Sequence, residues 1–149
     1  MNWQTVQANL PMVKEAQVVK VSSKDDTARI CADLTHLAQE CFQVLTIDAK
    51  NHLIDRHLIT LGLADASLIH PREVFRNAIL DNALMLVCVH NHPSGDPTPS
   101  AEDIRITRQL VQAGKIMDIK VMDHVIIGRP NESGLNCFSM RESGIVDFS

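Results

Sequence analysis

An α/β domain around a mixed β-sheet flanked by helices is the fold class this sequence predicts, and three observations carry that prediction. Segments of helical and strand periodicity alternate along the chain, the arrangement that gives layered α/β architectures. The stretch LMLVCV at 84–89 is apolar throughout, as expected of a central strand covered on both faces. The composition is globular. Of 149 residues, 45% are hydrophobic and 21% charged, enough to bury an ordinary core and too apolar for a disordered chain.

Each element has its own local signal. Residues 1–24 are weakly patterned, with VVKV at 18–21 as a candidate edge strand. Helical periodicity starts after Asp25, Asp26 and Thr27, which are suitable N-capping residues. Ile30, Cys31, Leu34, Leu37, Ala38 and Cys41 then recur at helical spacing and predict one core-directed face. CFQVLTID is rich in β-formers and reads as a strand, Asp48 to Asn51 as a turn, and HLIDRHLITLG as the antiparallel neighbour. HPREVFRNAILDNA predicts a helix with Pro71 at its first position and Val74, Phe75, Ala78 and Ile79 buried. After the apolar strand, NHPSGDPTP is a strong breaker. Ser100 opens a helix through Ala113, with Gly114 at the stop position. IKVMDHVIIG supplies another strand, and the tail beyond Arg129 reads as loop plus a short edge element.

The formal net charge is −4, with Lys and Arg scattered along the chain. Nucleic-acid binding domains draw most of their non-specific affinity from a basic face, so this balance argues against nucleic acid as the main partner. The four cysteines contain no CxxC pair, and Cys31, Cys41 and Cys88 sit in apolar segments, which points to a reduced, cytoplasmic setting. The first residues lack a basic segment followed by an apolar run, and no stretch approaches the ~20 apolar residues needed to span a bilayer. A cytoplasmic protein without membrane partners is the expectation.

Chemistry concentrates where the apolar strand ends. His90 and His92 are two residues apart, so a strand running through both would point their side chains to the same face. Asp103 follows in the first turn of the next helix, where the dipole favours a carboxylate. Two histidines and one carboxylate leave a fourth tetrahedral position open for water, the layout of a catalytic zinc site. Ser100 and Asp103 equally fit the S-x-x-[DE] capping box, which needs no metal.

Competing signatures can be compared directly. The letters HNH name a nuclease motif whose three residues are spread across a fold, so the contiguous tripeptide here gives it no support. Zinc deaminases require H-x-E followed by P-C-x-x-C, and zincins require H-E-x-x-H; neither pattern occurs. A non-heme iron triad shares the ligand types and stays open at this point.

The pattern H-x-H-x7-S-x2-D, here His90, His92, Ser100 and Asp103, resembles the JAMM (MPN+) metalloprotease motif at every spacing. HPREVF at 70–75, HNHPSGDPTPS at 90–100, the helix carrying ITRQL and DHVIIG at 123–128 resemble the RadC-like branch of that superfamily. The likeness covers roughly residues 27–149, leaving 1–26 as an N-terminal arm or edge segment. The resemblance implies a single JAMM/MPN-like domain of cytidine deaminase-like architecture, with Zn2+ held by His90, His92 and Asp103. It further implies hydrolysis of a peptide or isopeptide bond in a peptide or protein substrate, with Ser100 assisting. The family also needs a Glu between the first helix and the first central strand, and Glu40 occupies that place. On a helical wheel Glu40 lies about 115° from the centre of the apolar stripe, which alone would make it a solvated helix end.

Glu73 and Glu102 are rivals, but each stands in the first turn of a helix, where the dipole alone explains a carboxylate. His124 is read as a satisfied core or edge histidine rather than a partner of the zinc ligands. No spacing recruits His36, His52, His57 or His70. RadC-like proteins also carry a DNA-repair label, and longer members have an N-terminal helix-hairpin-helix region. Only about 26 residues precede the similar region in this chain, so the alternative of a role on nucleic acid draws less support.

Overall fold

A computed structural model describes residues 18–62 and 66–149 of the chain. The greater part of the expected N-terminal arm, residues 1–17, lies outside the described residues. Among the described residues, three α-helices and five strands run in the order α1 (Lys24–Ile30), β1 (Cys41–Ile47), β2 (Leu53–Leu61), α2 (Pro71–Leu80), β3 (Met85–Asn91), α3 (Ala101–Met117), β4 (Lys120–Ile127) and β5 (Cys137–Ser139). The sheet order is β2-β1-β3-β4-β5. β3 and β4 are parallel and the other neighbouring pairs antiparallel, so the sheet is mixed, as the alternation of elements predicts. The parallel pair is joined through α3, the kind of long crossover that parallel strands require.

The central strand β3 is covered on both sides. Leu86 and Cys88 face a cluster with Val74, Phe75 and Ala78 of α2 and Ile106 and Leu110 of α3. Val87 and Val89 face a second cluster with Val21, Cys31, Leu34, Leu45 and Val125. Burial of each large side chain contributes roughly 1.5–3 kcal/mol. Leu84 and Ile79, both expected inside, are 53% and 59% exposed, because the strand begins one residue later and the buried stripe of α2 is narrower than its hydrophobic letters. At the N-terminal edge, VVKV contributes one bridge, Lys20 to His52, flanked by Val21 N to Asn51 O and Leu53 N to Val19 O.

The first helix departs most from its pattern. α1 begins one residue after Ser23, whose side chain accepts from Asp26 N, so the cap is Ser23 and not the Asp25–Thr27 group. It ends at Ile30, continues as a 3-10 segment over Ala32–His36, and turns extended at Leu37. Arg56 of β2 holds this break: its guanidinium donates to Ile30 O at 3.0 Å and to Asp33 Oδ1 at 2.8 Å. Leu37 and Ala38 are therefore exposed, and Cys41 opens β1 instead of closing a helix.

α3 also runs past its expected stop. Gly114 is buried inside the helix, and the chain leaves at Asp118 in the left-handed conformation. A Cβ on Gly114 would stand 2.4 Å from Ile119 O, so this glycine allows β4 to approach rather than ending the helix. No helix among the described residues is long and apolar enough to cross a membrane.

Candidate metal centre

The carboxyl end of β3 delivers His90 and leads directly to His92. His90 is 2% exposed and stacks on Phe42 of the neighbouring strand, with ring centroids 5.8 Å apart. The backbone N–H of His92 donates to Ile127 O, which keeps the residue against the end of β4 after the strand proper has finished. The loop beyond it is held by Gly95, whose N–H donates to His92 O and whose carbonyl accepts from Arg129 N. Gly95 needs its φ of +92°, and a Cβ on Gly128 would stand 2.4 Å from Gly95 O. Only glycines let these two segments close together.

Asp103 arrives from α3. It is the third residue of the helix and takes part in a complete capping box: Ser100 Oγ accepts from Asp103 N at 3.1 Å, and Ser100 N donates to Asp103 Oδ2 at 2.9 Å. The same carboxylate reaches the histidines, with Oδ2 3.1 Å from His92 Nε2 and Oδ1 3.4 Å from His90 Nε2. Cap and ligand are thus not competing roles for Asp103. Ser100 Oγ is engaged as an acceptor, which leaves its own proton for donation outward.

Glu40 enters from an irregular, bent link just before β1, not from the last turn of a helix as its place in the pattern suggested. Its Oε1 lies 3.4 Å from His90 Nε2. Two flanking groups fix that link. Asn91 Oδ1 accepts from Cys41 N at 2.7 Å, and Asn91 Nδ2 donates to Gln39 O at 3.0 Å. Gly62 N donates to Glu40 O at 2.8 Å. Asn91, the middle letter of HNH, is therefore the clamp on the Glu40 backbone. The sequence offers one signal for it: a polar residue interrupting a buried strand must find partners.

Glu40, His90, His92 and Asp103 each offer one ligand atom, all within 4.8 Å of one another. The donor chemistry fits a cation. His92 Nδ1 donates to Asp96 O at 2.9 Å, so the neutral ring presents Nε2 as a lone pair, only 3.0 Å from His90 Nε2. Tetrahedral zinc with ligands at about 2.0–2.2 Å separates them by roughly 3.3–3.6 Å. The 3.0–3.4 Å spacings between His90 and its three neighbours approach that arrangement.

Protonation follows the same geometry. Burial opposes ionisation of Asp103, yet the adjacent His90 and His92 imidazoles and the hydrogen bond from Ser100 N hold its carboxyl well below the usual carboxylate range. Burial raises the Glu40 pKa against the opposing pull of the two histidines. Burial also works against a charged His92, but the Asp103 carboxylate and the Asp96 carbonyl outweigh it and raise its pKa. Desolvation of the fully buried His124 lowers its pKa well below that of a free imidazole.

The remaining candidates separate cleanly. Glu73 is exposed on α2, and Glu102 is exposed and paired with Arg105 at 2.9 Å. His124 is not merely a core residue: its Nε2 lies 2.7 Å from His90 Nδ1. His57, which no spacing recruits, joins Asp55 and Asp81 in a second close group of donor atoms at the β2 edge.

Residues 21–145 match the profile of the RadC-like JAB domain. The chain belongs to this family. A UPF0758 protein of Shouchella clausii is 42% identical over 135 residues, covering 88% of this chain and 56% of that protein. A UPF0758 protein of Caldanaerobacter subterraneus is 41% identical over 140 residues, 93% of this chain and 58% of the relative. One from Thermotoga maritima is 45% identical over 125 residues, 84% and 54% respectively. The chain spans about half the length of the curated relatives it matches. The RadC-like JAB domain therefore presents, at the end of β3, a His/His/Asp/Glu group able to hold a metal ion.

Proposed function

We propose that this RadC-like JAB domain is a zinc-dependent hydrolase, a metallopeptidase that cleaves a peptide or isopeptide bond. The observation that supports it most is the convergence of Glu40, His90, His92 and Asp103 at the mouth of the central strand, with His90 Nε2 and His92 Nε2 3.0 Å apart. Zinc held by His90, His92 and Asp103 would polarise the scissile carbonyl and lower the pKa of an attacking water. Glu40 accepts the proton of that water and delivers it to the leaving amine. A raised pKa suits this duty, because a carboxylate that gains proton affinity through burial is a better base near neutral pH.

Ser100 donates its hydroxyl proton to the developing oxyanion while its oxygen keeps accepting from Asp103 N. Removing one such donor typically costs about 10²–10³ in rate. Beside the cluster, Phe42, Thr60, Ile69 and Ile106 line a narrow, largely apolar recess.

Zinc-loaded protein incubated with a library of peptides and isopeptide-linked peptides, followed by mass spectrometry, tests this reading against Glu40→Ala of matched zinc content. Cleavage by the wild type that disappears in the variant is expected. Equal cleavage by both removes Glu40 from the reaction, and no cleavage by fully loaded wild type contradicts hydrolysis of these bonds.

A further inference from the structure

Behind His90 runs a chain of hydrogen bonds whose direction is fixed at its far end. Thr107 of α3 is fully buried, and its Oγ1 lies 2.6 Å from Asp103 O. A carbonyl oxygen can only accept, so the single hydroxyl proton of Thr107 belongs to that bond. The same Oγ1 lies 2.5 Å from His124 Nδ1, and with its proton engaged it can only accept there. His124 therefore carries its proton on Nδ1. In the neutral ring, Nε2 is then an acceptor, and it faces His90 Nδ1 at 2.7 Å. His90 must carry its proton on Nδ1, leaving Nε2 bare toward His92, Asp103 and Glu40.

We infer that His124 and Thr107 are positioning residues that lock His90 in the Nδ1–H form, so that its Nε2 lone pair is aimed at the metal position. As a role toward bound zinc, this rests on the proposed zinc reading of the cluster. The relay also closes a ring. It starts at the backbone of Asp103 and ends 3.4 Å from the carboxylate of the same residue. Ligands on β3 and α3 are thus tied together through β4.

A local irregularity brings His124 into line. Leu86 pairs with Val121 and Val87 with Asp123, which leaves Met122 as an extra residue in β4. Val121 packs near Gly114 and His124 bonds to Thr107, so two residues three apart both meet α3. A regular strand would put them on opposite faces, and the bulge re-aims the second. The backbone there is secured by Asp123, whose Oδ1 accepts from His124 N at 2.7 Å and from Arg141 N at 3.0 Å.

The test is imidazole 15N NMR on metal-free protein at about pH 8, where unperturbed histidines are neutral, joined to zinc affinity by chelator competition. Wild type and Thr107→Ser should show His90 as the Nδ1–H tautomer. Thr107→Val keeps the shape but removes the acceptor of His124. It should shift His90 toward the Nε2–H form and weaken zinc binding by about 10–100-fold, with Thr107→Ser recovering both. An Nε2–H tautomer at His90 in the wild type overturns the inference whatever the variants do. So does a folded Thr107→Val with unchanged tautomer and affinity. If wild type binds no zinc at all, the hydrolase reading fails, while the tautomer still decides the relay.

Discussion

Among the described residues, two groups of three or more histidine and carboxylate side chains bring their ligand atoms within 4.8 Å of one another, and they differ in where the protons go. At the β2 edge, Asp81 Oδ2 takes hydrogen bonds from Thr46 Oγ1 at 2.7 Å and from His57 Nε2 at 2.6 Å. Asp55 Oδ1 accepts from Arg56 N at 2.7 Å, and Asp55 is largely open to water. At the end of β3, both histidines spend Nδ1 on partners outside the cluster and turn Nε2 inward, 3.0 Å apart. The first group is held together as a hydrogen-bonded pair. The second gathers acceptors with too few protons among them, and a cation is what such a group lacks. Counting charged residues would not separate these sites; following the hydrogen bonds behind them does.

Substitutions sharpen the contrast, beginning with the largest effect. Asp103→Ala removes the carboxylate shared by both histidines and half of the capping box. It should abolish bound zinc and lower metal-free stability by about 1 kcal/mol, read by metal analysis and urea unfolding. Asn91→Ala leaves the buried Cys41 N–H without its acceptor, a cost of about 1–3 kcal/mol. It should also reduce kcat with zinc content intact, because the link bearing Glu40 loses its clamp.

The two shifted groups give a pH signature in the metal-free protein. Asp103 is depressed, so its contribution is complete above about pH 4 and is lost as pH falls through its folded pKa. His92 is raised, so its contribution is complete below about pH 6.5 and is lost as pH rises through its folded pKa. Urea unfolding should therefore find the His92–Asp103 pair most stabilising between those values. Asp103→Asn should flatten the profile, and an unchanged profile would sink the pairing. The smallest effect belongs to the edge: His57→Ala should cost about 1 kcal/mol or less and leave zinc content untouched. Zinc loss in that variant would mean the two clusters are not distinct.

What the sequence made legible was local. The run LMLVCV ending in His90 is a central strand because its length and apolarity admit little else. The distance from His92 to Ser100 and Asp103 is set by one rigid loop and one helix start, so spacing alone locates three of the four donors. Glu40 is different. Its neighbours Leu37 and Ala38 carry helical spacing, yet Arg56 on another strand captures Ile30 O and Asp33, and the chain leaves the helical path at Leu37 instead. Periodicity within one segment cannot register a guanidinium arriving from 26 residues away. The same limit hid Thr107 and His124, which meet only because Met122 shifts the phase of β4. Gly114 shows the converse: a stop signal by its letter, it serves instead as clearance for Ile119.

Zinc stoichiometry is the most direct measurement. Protein stripped of metal and titrated with Zn2+ should bind one ion per chain, His92→Ala should bind none, and Glu40→Gln should keep full occupancy. Equal zinc content in wild type and His92→Ala would contradict a metal centre at the end of β3.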